Sequence, residues 1–347
     1  MNTRIAPCNV VTLAQAVTEL RRGALVAAAA ETVYGLAGRA DDATAVAAIF
    51  RAKGRPQHDP LIVHVASPLP SLHEAGWIDL NRLTAPARAR AAALTAAHWP
   101  GPLTLLLPRG PRVQDAVCAG SPLVALRWPG ASPLASLITA LGIPLAAPSA
   151  NRFGGISPTH ARHVMADLQG RIPLILDSGP CACGVESTLV GLRTDGGLVL
   201  RRPGALAWER LSQPGDDAAG QAHTAVAAQV PAPGTLLSHY APRAPLLLLP
   251  APLGQQHIDA LRTLVKQQLG QSAAGLPLLY FSPDAASHTR AAALVGPTAP
   301  RHLLSATDDA AAAHALFATL HTLDAPAPPA ILAEQFPHAH NLGRTLQ

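Results

Sequence analysis

The chain has 347 residues, of which 49% are apolar and 14% are charged, and its formal net charge is +5. This composition excludes wholesale disorder, and the length is sufficient for two domains of ordinary size. The mild positive charge suits an anionic ligand, but it is too small to indicate a nucleic-acid-binding protein by itself.

The predicted elements of the first two hundred residues alternate irregularly between helices and strands. Apolar periodicity and capping residues predict helices over residues 11–22, 43–52, 82–97, 132–141 and 159–165. Short apolar runs predict strands over residues 24–29, 61–65, 103–107, 123–127, 145–147, 174–177, 187–192 and 198–201. This alternation predicts an α/β or α+β domain with a mixed, twisted sheet.

The composition changes after this part of the chain. Residues 206–235 are dominated by Gln, Ala, Gly, Asp and Pro, which is typical of a linker. Beyond it, strands are predicted over 246–249, 278–281 and 330–332, and helices over 256–269 and 310–323. We therefore predict a first domain over 1–208, a linker or lid over 209–243, and a smaller parallel βαβ domain over 244–347.

Cysteine and histidine usage does not indicate a metal site. Cys181 and Cys183 are one residue apart, the other two cysteines have no close partner, and the 15 histidines are scattered. We therefore predict reduced thiols and no bound metal. The apolar run at 23–30 is too short for a secretory signal and no stretch is long enough to span a bilayer, which predicts a cytoplasmic protein.

A rigid basic segment is the most informative motif. Lys53 and Arg55 are followed by Pro56 and Pro60, which hold the backbone extended before the predicted strand at 61–65. Two cations held side by side favour a polyanion such as a triphosphate. The alternative for this segment alone is a solvated basic loop.

Further motifs follow in a fixed order along the chain. They are Glu31-Thr32-Val33-Tyr34-Gly35, Trp99-Pro100-Gly101-Pro102-Leu103-Thr104, Ala125-Leu126-Arg127-Trp128-Pro129, Ala147-Pro148-Ser149-Ala150-Asn151, Gly155-Ile156-Ser157-Pro158, Glu186-Ser187-Thr188 and Arg201-Arg202-Pro203-Gly204. Their order and spacing resemble the Sua5/YrdC/YciO family, the L-threonylcarbamoyladenylate synthases. The resemblance covers residues 10–210 strongly, and His239-Tyr240-Ala241-Pro242 is similar to the linker motif of the longer, Sua5-type members.

The resemblance implies a fold and a reaction. The expected fold is a YrdC-like mixed sheet around a positively charged cavity, with a second, Rossmann-like α/β domain. The expected reaction joins L-threonine, bicarbonate and ATP, with Mg²⁺ accompanying the ATP, and gives threonylcarbamoyl-AMP and pyrophosphate for modification of adenosine 37 in tRNA. Downstream tRNA threonylcarbamoyl-transfer proteins, and weak contact with RNA, are implied as partners.

The resemblance also implies roles for individual residues. Lys53 and Arg55 are expected to carry the catalytic charge on the triphosphate. The residues expected to bind ATP are Arg55, Asp59, Leu123, Ser149, Asn151, Ser157, Arg201 or Arg202, and Tyr240. The residues expected to bind L-threonine are Thr32, His64, Arg127, Ala147 and Ser187. Arg127 suits a carboxylate because a guanidinium donates two parallel hydrogen bonds.

Two positions depart from the family pattern. Ala29 and Ala30 stand where the family has a proline and a hydroxyl residue, and Asp59 stands where it has asparagine. An anion beside ATP phosphates is unfavourable unless it holds Mg²⁺ or pairs with Arg55.

Two other functions compete with this interpretation. A carbamoyl-adenylate-forming maturation factor contains a similar domain, but the acylphosphatase and zinc-finger segments of such proteins are not visible here. An RNA-binding or ribosome-associated factor without catalysis would use the basic cavity, but aromatic residues make up only 3% of the chain, which disfavours base stacking.

Overall fold

The computed structural model describes residues 1–218, 232–234, 240–249, 255–270, 272–280, 289–290, 293–304 and 308–334. The chain forms two compact units, Met1–His239 and Tyr240–Gln347. Of the segments discussed above, His239 and the tail at 341–347 lie outside the described residues. Within the described ranges, no helix combines the length and the apolar character that a bilayer crossing requires.

The first unit contains ten strands and seven α-helices in its described residues. In chain order they are β1 (Arg4–Pro7), α1 (Val10–Arg21), β2 (Val26–Ala29), β3 (Tyr34–Arg39), α2 (Ala43–Lys53), β4 (Ile62–His64), α3 (Leu69–Glu74), α4 (Ala85–His98), β5 (Leu103–Pro108), α5 (Asp115–Cys118), β6 (Leu123–Arg127), α6 (Pro133–Leu141), β7 (Leu145–Ala146), α7 (Ala161–Leu168), β8 (Leu174–Asp177), β9 (Thr188–Leu192) and β10 (Leu198–Arg202).

These strands form one mixed sheet in the order β1-β8-β2-β3-β7-β4-β6-β5-β9-β10. Parallel pairs such as β4–β6 and β5–β9 alternate with antiparallel pairs such as β5–β6 and β9–β10. The predicted mixed sheet is therefore confirmed.

The sheet lies between two layers of helices. Alternate residues of β2 belong to different cores: Ala27 and Ala29 pack with side chains of α2, α4 and α7, whereas Val26 and Ala28 pack with side chains of α1 and α6. Since successive strand residues point to opposite faces, both faces of this sheet are buried.

The helix α2 positions the basic segment. Asp42 caps its start by accepting hydrogen bonds from the backbone N–H groups of Thr44 and Ala45. The helix ends at Gly54, whose φ of +64° is the left-handed conformation that glycine adopts without steric cost. Lys53 is therefore the last helical residue, and Arg55 begins the loop that leads into β4.

Strand β3 has no counterpart among the predicted strands, because two glycines interrupt its apolar pattern. A Cβ at Gly38 would lie 2.9 Å from Leu25 Cδ2, and one at Gly35 would lie 3.3 Å from Ala147 Cβ. The glycines allow neighbouring elements to approach the strand closely, and this packing cannot be read from hydrophobic alternation.

The second unit is a small parallel domain. Its described elements are β11 (Leu246–Leu249), α8 (Gln255–Leu269), β12 (Leu278–Tyr280), β13 (Arg301–Leu303), α9 (Asp309–Asp324) and β14 (Ile331–Glu334). The strands pair in parallel in the order β11-β14-β12-β13. The predicted parallel α/β domain is confirmed, and β13 is an additional short strand.

The start of the predicted linker differs from expectation. Leu206, Trp208 and Leu211 are buried in the core of the first unit. Ala232 packs in a second, smaller apolar cluster of the first unit, with Ile62 and neighbouring side chains. These apolar residues are too widely spaced to produce a periodic signal. Through them, both described ends of the segment pack against the first unit.

Candidate active site

Lys53 ties the end of α2 to the loop after β7. Its Nζ donates hydrogen bonds to the backbone oxygens of Ser149 (2.5 Å) and Asn151 (2.6 Å), and lies 3.4 Å from Asn151 Oδ1. The backbone N–H of Phe153 donates in turn to the Lys53 carbonyl oxygen at 2.9 Å. Burial, together with the nearby Arg55 charge, lowers the pKa of Lys53 to about 7.

Arg55 and Asp59 form a buried ion pair. Arg55 Nη2 lies 2.9 Å from Asp59 Oδ2, and the two side chains are 3% and 1% exposed. Arg55 also donates to the carbonyl oxygens of Asp59 and Pro60. Burial raises the pKa of the Asp59 carboxyl, and the charges of Arg55 and Lys53 oppose this effect. Asp59 thus adopts one of the two arrangements expected for an anion at this position, pairing with Arg55.

The loop after β7 is held by its own side chains. Asn151 Nδ2 donates to the carbonyl oxygens of Arg152 (2.7 Å) and Gly155 (2.8 Å). Ser157 is fully buried, and its hydroxyl donates to Glu186 Oε1 at 2.7 Å. The structure therefore brings Lys53, Ser149, Asn151 and Ser157 into one connected segment, with Arg55 directly after Lys53.

A second group of polar residues lies along one edge of the sheet. His64 ends β4 and is paired with Arg127, which ends β6. Thr188 begins β9 beside Leu103 at the start of β5, and Arg202 ends β10 beside Leu189. Because β5 runs antiparallel to β6, and β10 antiparallel to β9, all of these strand ends meet at the same edge.

Arg127 is held by three different groups. Its Nε donates to the Gly101 carbonyl oxygen at 3.1 Å, and its Nη1 donates to Thr32 Oγ1 at 2.8 Å. Its Nη2 lies 2.6 Å from Glu31 Oε1, and only 3% of its side chain is exposed. A guanidinium has five N–H donors, so this arrangement fixes the plane of Arg127 and leaves donors for a ligand.

Ser187 and Arg202 form a connected network with two further residues. Ser187 Oγ lies 2.7 Å from Thr104 Oγ1, and Arg202 Nη2 donates to Ser187 Oγ at 3.1 Å and to its carbonyl oxygen at 2.9 Å. Arg202 Nη2 also lies 3.7 Å from Glu186 Oε2. Glu186 therefore connects Ser157, in the first group, with Arg202, in the second.

His64 is a neutral side chain in this edge group. It is 3% exposed, and burial, followed by the Arg127 charge, places its pKa well below the ordinary value. Within the described residues its Nδ1 is buried without a hydrogen-bond partner. A buried polar atom of this kind requires a partner, and a bound ligand is one candidate.

The remaining predicted residues contribute in different ways. Ala147 is buried, and its backbone N–H donates to the Ile62 carbonyl oxygen at 3.0 Å. Leu123 opens β6 and packs against the apolar cluster that contains Ala232. Arg201 is half-buried, and burial lowers its pKa. Tyr240 belongs to the second unit, where its ring stacks on Phe317 with centroids 5.8 Å apart, so its role toward ATP stays a prediction.

The alanines that replace the family's proline and hydroxyl residue are buried. Ala29 and Ala30 are both 4% exposed, and the Ala30 N–H donates to the Val33 carbonyl oxygen at 3.0 Å. The tight turn between β2 and β3, which contains Thr32, therefore forms without the proline.

Sequence reasoning did not assign roles to three residues that hold the site together, namely Glu31, Thr104 and Glu186. Each contacts a predicted site residue directly: Arg127, Ser187 and Ser157, respectively. The available signal was position, because Glu31 and Glu186 immediately precede the predicted site residues Thr32 and Ser187.

Comparison with known proteins identifies the relatives of this chain. The family model described as "Telomere recombination", for Sua5, YciO and YrdC, matches residues 18–203, and the model for the threonylcarbamoyl-AMP synthase C-terminal domain matches residues 206–347. The threonylcarbamoyl-AMP synthase of Bacillus subtilis is 41% identical over 242 residues, which cover 68% of this chain and 66% of that protein. The Pyrococcus abyssi enzyme is 40% identical, covering 67% of this chain and 66% of that protein.

A solved structure matches nearly the whole chain. The crystal structure of P. abyssi Sua5 complexed with L-threonine has a TM-score of 0.75 and 31% identity, and the match covers 99% of this chain and 94% of that one. The B. subtilis and P. abyssi enzymes are each matched over just under two thirds of their own length. Because both family models match in sequence order and the first alone covers more than half of the residues, the chain belongs to the Sua5/YciO/YrdC family.

Proposed function

We propose that the chain is an L-threonylcarbamoyladenylate synthase. It would join L-threonine, bicarbonate and ATP to give threonylcarbamoyl-AMP and pyrophosphate, for N6-threonylcarbamoylation of adenosine 37 in tRNA. The observation that carries the proposal is Arg127, a buried guanidinium fixed by Thr32 and Gly101 next to the unpartnered Nδ1 of His64. The related P. abyssi protein, whose structure contains L-threonine, supports it further.

The chemistry requires positioning and neutralisation of charge more than a protein nucleophile. The threonine amine takes up CO₂ or bicarbonate to give a carbamate. A carbamate oxygen then forms a bond to the α-phosphorus of ATP, and the bond from that phosphorus to the bridging oxygen breaks as pyrophosphate leaves. Negative charge accumulates on the departing pyrophosphate, so fixed cations beside it lower the barrier.

The polar residues at the shared edge of the sheet, around His64 and Arg127, would hold the amino acid. Arg127 would bind the threonine carboxylate through its remaining donors. Thr32 already accepts a hydrogen bond from Arg127, so its hydroxyl proton is available to the substrate. His64, the Ala147 backbone and Ser187 complete the proposed threonine site, and the neutral state of His64 avoids repulsion with Arg127.

The residues on and beside the loop after β7 would hold the nucleotide. Arg55 supplies a buried charge for the triphosphate, and Ser149, Asn151 and Ser157 lie on the loop that Lys53 supports. Glu186 connects Ser157 to Arg202, and Asp59, Leu123 and Arg201 are further proposed contacts of ATP. Lys53 contributes its charge while its donors hold the loop carbonyl oxygens.

Mg²⁺ would enter with ATP as part of the substrate. Among the described residues there is no cluster of three or more potential metal ligands, and Asp59 is already engaged by Arg55. This donor set fits a metal ion bound mainly through ATP phosphates. It neutralises phosphate charge, and the roles of the protein residues above are independent of it.

Bicarbonate, tRNA and the proteins that transfer the threonylcarbamoyl group belong to the same proposal. A cytoplasmic location, where tRNA and ATP are present, completes it. The net charge of +5 supports weak contact with RNA as part of this proposal.

The proposal is tested by measuring pyrophosphate release from ATP with each substrate omitted in turn. We expect release only when both L-threonine and bicarbonate are present. Equal release with serine, glycine or no amino acid would contradict the specific function. An RNA-binding factor would give no release, and a maturation factor would release pyrophosphate without threonine.

A further inference from the structure

Glu31 is anchored more firmly than its place in a turn requires. Its backbone oxygen accepts a hydrogen bond from the Cys183 N–H at 2.7 Å. Its side-chain Oε1 accepts from the Gly130 N–H at 3.0 Å and lies 2.6 Å from Arg127 Nη2. A Cβ at Gly130 would lie 3.3 Å from Oε1, so glycine gives this carboxylate room against the backbone.

The second oxygen of the same carboxylate has no such partner. Glu31 Oε2 is buried, and within the described residues it accepts no hydrogen bond. Anchoring Oε1 in two directions also fixes the position of Oε2, so the side chain is not free to turn this oxygen toward solvent. A carboxylate oxygen buried in this way needs a donor, and a group that arrives with a ligand would supply one.

The charges of Glu31 and Arg127 indicate which kind of ligand would supply this donor. The carboxylate of Glu31 and the guanidinium of Arg127 lie side by side, so together they present one negative and one positive group. A free α-amino acid presents the complementary pair, because its ammonium and its carboxylate are attached to the same carbon. If Arg127 binds the substrate carboxylate, the substrate ammonium lies close to that carboxylate and faces the carboxylate of Glu31.

We propose that Glu31 Oε2 accepts a hydrogen bond from the α-amino group of the amino-acid substrate, and that Glu31 thereby selects substrates with a free amino group. This inference rests on the proposed function, which places an amino acid at Arg127. Glu31 is then a specificity-determining residue, and it holds the nitrogen that becomes the carbamate.

The variant Glu31→Gln tests the contact with little change in shape. Gly130 N–H and Arg127 both require an acceptor at the Oε1 position, so the amide oxygen must take that place. The amide NH₂ group then occupies the position of Oε2 and presents donors to the substrate amino group. The variant keeps an oxygen at both anchors and reverses the contact under test. It also removes the charge beside Arg127, so affinities are compared only between ligands that all carry a carboxylate.

The measurement is calorimetric binding of three ligands: L-threonine, 3-hydroxybutanoate, which lacks the amino group, and L-2-aminobutanoate, which lacks the hydroxyl. We expect the unmodified chain to prefer threonine over 3-hydroxybutanoate by roughly tenfold or more, the value of one charge-assisted hydrogen bond. In Glu31→Gln this preference should disappear, while the ratio of threonine to 2-aminobutanoate affinity stays the same. The exposed Glu74 provides a matched control, and Glu74→Gln should change neither ratio.

Several results would overturn the proposal. One is equal affinity of the unmodified chain for threonine and 3-hydroxybutanoate, which needs no variant to fold. Another is a preference for threonine over 3-hydroxybutanoate that is unchanged in Glu31→Gln. A third is a change in the ratio of threonine to 2-aminobutanoate affinity instead, which would place the substrate hydroxyl at Glu31. Failure of the proposed function is distinguishable, because that is measured as turnover and this preference is measured as binding.

Discussion

At the scale of single residues, the site is organised by arginines that each lie against a carboxylate. The pairs are Arg55–Asp59, Arg127–Glu31 and Arg202–Glu186, with nitrogen–oxygen distances of 2.9, 2.6 and 3.7 Å. Each carboxylate orients the guanidinium beside it, but burying the pair removes both charges from water, and this desolvation opposes their attraction. An anionic substrate must compete with these carboxylates, which makes them determinants of affinity.

Asp59→Asn is the most direct test of this competition. The raised pKa means that the folded chain favours the protonated carboxyl, so the stability that Asp59 contributes is complete below its ordinary pKa and is lost as the pH rises through the folded value. Asparagine resembles the protonated form. We expect the variant to melt at a higher temperature than the unmodified chain at pH 7, with the difference vanishing near pH 4.

The same variant should bind ATP more tightly. Removing an anion beside Arg55 should lower the KM for ATP by roughly threefold to tenfold, since the repulsion of one nearby like charge is of this order in a partly hydrated site. A higher KM together with a higher requirement for Mg²⁺ would contradict this account and would assign Asp59 to the metal.

At the scale of elements, the site depends on a lysine that joins a helix to a loop. Lys53 ends α2, and its ammonium meets three oxygens of the loop after β7. Three acceptors match the three N–H donors of an ammonium, whereas a neutral amine has only two. We therefore expect Lys53 to affect ATP binding in part through the position of this loop.

Lys53→Met should raise the KM for ATP by roughly tenfold to a hundredfold, because it leaves the Ser149 and Asn151 carbonyl oxygens without a charged donor. In the unmodified chain, the KM for ATP should rise as the pH passes about 7, where the ammonium loses its third N–H. The variant should show no such step. Binding of L-threonine alone should change little.

The chain offers a matched control, because its other lysine, Lys266, is exposed in α8. Lys266→Met should leave both kinetic parameters unchanged. If Lys53→Met lowered kcat at an unchanged KM for ATP, a direct role on the departing pyrophosphate would be favoured over the role through the loop.

The elements themselves were predictable to different degrees. Helices α2, α6 and α9 begin within a residue or two of their predicted starts because Asp42, Ser132 and Asp308 cap them visibly. Strand β3 was not predictable, since Gly35 and Gly38 serve packing across the sheet. The choice between Arg201 and Arg202 was also open in the sequence, and only the structure shows that Arg202 contacts Ser187.

At the scale of the whole molecule, the chain consists of two units with separate cores. In the second unit, Asp324 at the end of α9 holds the segment that leads into β11. Its Oδ2 accepts from the Arg243 N–H and Nε, both at 3.1 Å, and its Oδ1 accepts from the Ala244 N–H at 2.9 Å. Burial alone would raise the pKa of Asp324, but these hydrogen bonds and the Arg243 charge lower it.

Asp324→Asn should destabilise the second unit by about 1.5–3 kcal/mol, the value of one charge-assisted hydrogen bond. A lowered pKa contributes stability that is present above the ordinary value for aspartate and is lost as the pH falls through the folded value. The melting temperature of the variant should therefore fall less steeply below pH 4 than that of the unmodified chain. The exposed Asp259 is the control in the same unit, and equal pH profiles for Asp324→Asn and Asp259→Asn would refute this role.

The type of sheet in each unit was predictable from the sequence, but the order of the strands was not. Alternating helix and strand patterns predict a mixed sheet followed by a parallel domain, and both are present. The order of ten strands was not predictable, because pairs such as β1–β8 join segments far apart in the chain. The convergence of His64, Arg127, Ser187 and Arg202 at one edge follows from that order, so spacing alone could not have shown it.

The proposed reaction forms a carbamoyl adenylate from threonine. The most direct measurement is mass spectrometry of the product formed from ATP, L-threonine and ¹³C-labelled bicarbonate. We expect an adenylate that contains threonine and the labelled carbon, accompanied by an equal amount of pyrophosphate, and no such product when threonine is omitted. Release of pyrophosphate with an unlabelled adenylate, or with AMP alone throughout the reaction, would contradict it.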